Sequence, residues 1–172
     1  MKKLFLIFFL FLLQISIAVA NINIAFVDLD KILKTSKPGS SILKQLSETN
    51  NQILKKFQKD EKNLNAKETK IISQKNIIST EEFQSNINKL KLEINEYNLN
   101  KKKIINNFNK LKVENTNKFL KMVKPLLIKY SDENSISLVL QKKDLLIGKT
   151  ELEITDDIIK IINKDIDEFK IN

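Results

Sequence analysis

From Leu43 to Ile78, apolar side chains return every seventh residue at Leu43, Phe57, Leu64, Ile71 and Ile78, with Asn50 the polar member of the row. A second row, three residues on, begins apolar at Leu46 and Ile53 and then turns polar at Asp60, Lys67 and Gln74. Interleaved rows of this kind line one helix face and form the seam of a coiled coil. Neither Pro nor Gly interrupts the stretch. The seam is therefore full at one end and half-filled farther out, where a single apolar row buries too little surface to pack tightly. A second run carries Phe83, Leu90, Tyr97, Ile104 and Leu111 at sevens, with Ile87, Ile94 and Phe108 between them and Lys101 breaking that row. Phe119, Met122 and Leu126 continue the seam one place out of register, as a four-residue stutter would.

Between the runs lies Ser79-Thr80-Glu81-Glu82. Ser79 or Thr80 suits a helix N-cap, Glu82 completes a capping box with Ser79, and both acids sit well at the positive end of a new helix. The pattern predicts two antiparallel helices joined as a hairpin. Arms of roughly 40 residues at about 1.5 Å rise reach about 60 Å. One unbroken helix forming a parallel dimer is the competing arrangement, opposed by the weak helix formers Ile77-Ile78-Ser79-Thr80.

The periodicity changes at both ends. Asn21 to Asp28 alternates, with Ile22, Ile24 and Phe26 on one face and Ala25 and Val27 on the other, and reads as a strand. Asp28 to Leu33 reads as a short helical turn, with Asp28 and Asp30 in capping or turn roles. It is punctuated by Ser36-Lys37-Pro38-Gly39, with Pro38 suited to the first turn of the next helix. Pro125 is expected to bend or end the returning helix. Beyond it, Ile136 to Leu140 reads as a strand and Leu145-Leu146-Ile147 as another, with Gly148 at a special backbone position. Thr155 is expected to cap a final helix with a spine of Ile154, Ile158, Ile162 and Ile166. The result is an α+β chain: a small strand-built body, residues 21–42 and 126–172, with a helical hairpin arm, residues 43–125, inserted into it.

The first twenty residues have Lys2 and Lys3, an apolar stretch from Leu4 to Leu13, and Ala18-Val19-Ala20. This is the layout of a signal peptide cleaved after Ala20, and the apolar stretch is short for an uncleaved membrane anchor. The chain has no Cys, His, Trp or Arg. Disulfides, thiol chemistry and histidine acid-base or metal chemistry are thereby excluded. Charge is uneven: between Lys44 and Lys124 stand 18 Lys against 9 acids, a net of +9, whereas the rest from Asn21 onward has 10 Lys against 12 acids, a net of −2. A basic appendage on a slightly acidic body points to partners that the arm would attract. The body, about 70 residues, is marginal for one core and invites burial against other subunits, without periodicity setting their number.

Ile24-Ala25-Phe26-Val27-Asp28-Leu29-Asp30-Lys31-Ile32-Leu33, then Ser36-Lys37-Pro38-Gly39, Ile136 to Leu140 and Glu153-Ile154-Thr155-Asp156-Asp157-Ile158 occur in that order around the coiled-coil insertion. In this order they resemble the Skp (OmpH-like) family of periplasmic chaperones of outer-membrane proteins. Leu140 and Gln141 stand where many members have Val-Asp. The resemblance implies a jellyfish-shaped homotrimer, with Ile24, Phe26, Leu138 and Leu140 in its body and three hairpins around a cavity. It implies an ATP-independent holdase that keeps unfolded outer-membrane β-barrel proteins from aggregating, with anionic lipid or lipopolysaccharide as a further candidate partner.

The residues agree with a holdase and leave other classes open. Candidate client contacts are the off-seam apolar residues Ile72, Ile77, Leu92, Leu99 and Ile105, interleaved with Lys55, Lys56, Lys101, Lys102 and Lys103. Scattered surface apolar residues are also ordinary, and some would pack across the hairpin. A structural periplasmic spacer or envelope-surface binder would use the same lysines against anionic lipid. Non-specific nucleic-acid binding would use them against phosphate, but export and the lack of Arg oppose it, so no specific nucleic-acid partner is expected. An enzyme is not expected: Asp28 and Asp30 have no His, Cys or metal-ligand set beside them, no Gly-rich phosphate loop is present, and no cofactor or metal is implied.

Overall fold

The computed structural model describes residues 22–168, 170 and 171; the proposed leader, residues 1–20, lies outside them. Strand β1 (Ile24–Val27) leads into helix α1 (Leu29–Thr35), then α2 (Lys37–Ser73) and α3 (Thr80–Glu133). Strand β2 (Leu138–Gln141), two short 3₁₀ turns and α4 (Thr155–Asp165) complete the chain. The strands pair in parallel, Ile24 with Leu138 through Val27 with Gln141. Parallel neighbours need a crossover connection, and here that crossover is the whole helical hairpin.

Local chemistry sets the corners. Asp28 is the N-cap of α1 and accepts the Lys31 N–H at 2.8 Å. Ser36 ends α1 and starts α2, its Oγ accepting the Gly39 N–H at 3.3 Å, with Pro38 in the first turn. A Cβ on Gly39 would stand 2.3 Å from the Leu33 carbonyl oxygen, so this corner closes only around a residue without one. At the far end α2 stops at Ser73, and Ser79 caps α3 by accepting the Glu82 N–H at 3.2 Å.

The core sits where the hairpin's root meets the body. Ala25 and Val27 pack with Ile32 of α1, Ile42 and Leu46 of α2, Phe119 and Val123 of α3, and Ile158 and Ile162 of α4. Along the hairpin, the apolar members of both seven-residue rows are buried or half-buried from Leu43 to Leu111. The seam also contains a residue that periodicity did not single out. Asn115 is buried at the four-residue step between Leu111 and Phe119, and its amide donates to the Leu111 carbonyl at 2.8 Å. The extra residues of a stutter turn a further position into the seam, and an amide bonded to its own helix fills it without an unpaired donor.

Four expectations about the carboxyl-terminal half need correction. Of the two outcomes expected at Pro125, the early end does not occur, since α3 runs on to Glu133. Packing of Phe119 and Val123 before it and Leu126, Leu127 and Tyr130 after it outweighs the roughly 3 kcal/mol that an interior proline costs. Leu145-Leu146-Ile147 is not a strand. The β1 edge it would use is taken by Glu153, in a parallel bridge with Phe26, and by the Ile154 N–H, which donates to the Phe26 carbonyl at 3.0 Å. Gly148 has no positive φ. Its lack of a side chain matters instead because a Cβ there would stand 2.9 Å from the Phe26 ring. Thr155 does not cap α4 but is its first residue. Its hydroxyl accepts the Asp28 N–H at 2.9 Å and donates to Glu153 at 2.9 Å, tying the end of β1 to the start of α4.

Two substitutions check these accounts by denaturant unfolding at fixed protein concentration. Thr155→Val keeps the shape of a fully buried side chain but leaves the part-buried Asp28 N–H without its acceptor, and should cost about 1–3 kcal/mol. Ser135, just past the end of α3, holds a left-handed backbone with φ 54°. Ser135→Gly should therefore raise stability by about 1 kcal/mol, the relief of strain exceeding the added chain entropy; a loss of stability would contradict the strain.

Candidate functional site

The grooves along the hairpin and beside β2 are open to solvent. Among the described residues no group of three or more His, Cys, Asp or Glu could hold a metal ion, and no helix is long and apolar enough to cross a membrane. What the hairpin offers instead is surface. Leu92 and Leu99, seven residues apart, lie on α3 away from the seam and are 69% and 72% exposed. Val113 is exposed two heptads beyond Leu99 on the same helix and extends their row, though it was not among the expected contacts. Ile72 is exposed near the end of α2, and Ile77 is exposed in the turn beyond it. Lys55, Lys56, Lys102 and Lys103 are likewise exposed.

Ile105 is placed differently. With Leu54 of α2 it flanks an open groove of about 380 Å³ whose other apolar lining includes Ile53, Phe57 and Phe108. Leu54 follows the seam residue Ile53 directly in sequence and so stands at the edge of the seam, on the groove.

Lys101 departs most from the other expected contacts. Its ammonium is 2.7 Å from Glu61 Oε1 across the hairpin, and Tyr97 donates its hydroxyl to the same oxygen at 2.7 Å. The ammonium also stands 5.2 Å from the Phe57 ring centre and 5.5 Å from that of Tyr97, and the two rings meet edge to face at 6.4 Å. The lysine that interrupts the apolar row thus belongs to the seam. Hydrogen bonds from Lys101 and then Tyr97 hold the Glu61 carboxyl below its ordinary range. The carboxylate in turn holds Lys101 above its own, while burial, followed by the bond to Glu61, raises Tyr97. Toward the tip, Lys67 and Glu93 form a second cross-hairpin ion pair at 2.5 Å.

On the body, Ile24 and Leu138 face each other in register and both remain partly exposed. Phe26 and Leu140, the next pair on that face, are more covered. Beside them Leu146 and Ile147 project almost wholly into solvent, 98% and 90% exposed. The β2 segment also lines a groove of about 460 Å³ against α3, with Leu127, Ile128 and Ile136 among its apolar walls.

Comparison with known proteins agrees with this architecture. The OmpH-like outer membrane protein family matches residues 23–162. Among solved structures, an OmpH-like outer membrane chaperone candidate from Caulobacter crescentus superposes with a TM-score of 0.79 at 11% identity, covering 91% of this chain and 93% of its own. At that identity the likeness is one of fold. No curated protein sequence matches the chain. The family match takes in both strands, the hairpin and most of α4, so the chain belongs to the OmpH-like family of periplasmic chaperones, and with it to a non-enzymatic class of protein.

Proposed function

We propose that the mature chain, cleaved after Ala20, is an ATP-independent holdase of the periplasm that keeps unfolded outer-membrane β-barrel proteins from aggregating. The observation that carries this reading is a basic hairpin with exposed apolar residues, in a chain of chaperone family. Lysines attract acidic segments at long range. Leu92, Leu99, Ile72 and Ile77 add separate apolar contacts, each too small to fix one bound conformation. Ile105 and the groove beside it give a slightly deeper contact, whereas Lys101 is withdrawn from client contact, since Glu61 already engages its ammonium and offsets its charge.

The working unit in this reading is a homotrimer. Residues 21–42 and 126–172 form its body, and residues 43–125 form each arm. Ile24 and Leu138, with Leu146 and Ile147, provide apolar surface that a lone chain would leave in water; Phe26 and Leu140 support that face from within. Covering such surface is what drives subunit association.

Light scattering of the mature protein should give three times the protomer mass, and Leu146→Asp combined with Ile147→Asp should lower it. A monomeric parent, or a double variant that keeps the full mass, would remove this face from the assembly. For client binding, the measurement is aggregation of a urea-diluted outer-membrane β-barrel protein. Protection should disappear when residues 50–115 are deleted and the body still folds. It should fall several-fold in Leu92→Asn with Leu99→Asn, and weaken without vanishing as salt screens the lysines. Full protection by the armless body would place the client site on the strands. A salt-tolerant complex with duplex DNA and no effect on aggregation would reject the chaperone reading.

A further inference from the structure

The arm is unevenly held along its length. Rootward of Glu61, α2 buries Ile42, Leu46 and Phe57, and α3 buries Asn115, Phe119 and Val123. Tipward, over residues 62–96, Leu90 alone among the described residues is buried. There the second row of α2 is Lys67 and Gln74, and the chief polar tie is the exposed Lys67–Glu93 pair. Local opening takes place where few apolar contacts must be broken, so the tip opens at lower free energy than the root.

Between the two parts stands the cluster of Phe57, Glu61, Tyr97 and Lys101. One carboxylate oxygen of α2 receives two donors from consecutive turns of α3, and the lysine that supplies one of them rests beside two aromatic rings. Glu61 and Lys101 retain 46% and 36% of their side-chain exposure, so the ion pair by itself is a weak tie. Its setting strengthens it: both helices must separate before the Tyr97 bond, the ammonium contact and the Phe57–Tyr97 edge contact are lost, and they are lost together.

We propose that this cluster is a clasp that stops opening of the arm from spreading from tip to root. Segment 62–96 parts and recloses on its own side of it, while the root stays paired and keeps its orientation on the body. A hairpin so built moves its tip without disturbing the core that carries it. The inference concerns the mechanics of the hairpin and stands whether or not an unfolded client is the ligand.

Hydrogen exchange read by mass spectrometry on the full mature protein tests it. In the parent, amides of 62–73 and 80–96 should exchange faster than those of 43–57 and 104–123. Glu61→Gln should speed exchange at 43–57 and 104–112 by about 3- to 10-fold, the size expected from losing a charge-assisted pair and its shared hydrogen bond. Exchange in 62–96 should change by less than about twofold, because opening there already precedes the clasp. Tyr97→Phe, which removes one donor and keeps the ring, should give a smaller change with the same distribution and serves if Glu61→Gln fails to fold. The exchanged pair Glu61→Lys with Lys101→Glu should return the root toward parental protection. Equal protection of tip and root in the parent would overturn the proposal. So would variants that speed both parts alike or leave the root unchanged, or an exchanged pair that rescues nothing.

Discussion

The parallel pairing of Ile24–Val27 with Leu138–Gln141 governs the rest of the molecule. Two parallel strands cannot be joined by a tight turn, and everything between them has to leave the sheet at Val27 and come back at the opposite end, where Leu138 pairs with Ile24. In most folds one helix suffices for that return. Here α2 departs, the chain reverses at residues 74–79, and α3 comes back past the level where α2 began and on to Glu133, so that the connection outweighs what it connects. The body holds together because both roots of the hairpin contribute to its core: Ile42 and Leu46 from the outgoing helix, Phe119 and Val123 from the returning one. Body and arm therefore share one packing problem at the root, and only beyond it does the arm become a separate object.

That shared root explains why polar side chains inside it are so fully bonded. Ser36, Asn115 and Thr155 are buried, and each hydroxyl or amide has a backbone partner across a short distance. A buried polar atom left without a partner costs more than the bond itself contributes, so each of these residues specifies one arrangement. Ser36 and Gly39 set the angle between α1 and α2; Thr155 aligns α4 with the end of β1. Asn115 accommodates the change of phase between the coiled coil and the core.

The hairpin was readable from sequence because its signals are local and repeated. Seven-residue rows, the Ser79 cap and the polar run at Asp60, Lys67 and Gln74 describe the seam and its thinning with no knowledge of the rest. Asp28 as a cap and Pro38 in a first turn were readable for the same reason. The errors came where a distant residue decided the outcome. Leu145-Leu146-Ile147 looks like a strand until Glu153 and Ile154 take the edge it would need. Thr155 looks like a cap until the Asp28 N–H, far away in sequence, claims its hydroxyl. Lys101 looks like a break in the seam until Glu61 and the rings of Phe57 and Tyr97 are opposite it. The exposure of Leu92 and Leu99 follows from their heptad position, whereas that of Leu146 and Ile147, read from sequence as part of a strand, carries no periodic signal.

The long separation between the two strands also bears on how the chain acquires its structure. The Asn23 amide donates to the Ser135 carbonyl, 112 residues away, and β1 has no partner strand until nearly the whole chain is available. Contacts between the two hairpin helices close far shorter loops than the pairing of β1 with β2 does. Local contacts form early and distant ones late. The natural order is helices first and sheet last, with the finished coiled coil bringing Ile136 and Leu138 back to the neighbourhood of Ile24. Until that moment Ile24-Ala25-Phe26-Val27, a short apolar strand segment, has both edges unpaired. A chaperone of this construction passes through its own interval of exposure, one that lasts until β2 is in place beside β1.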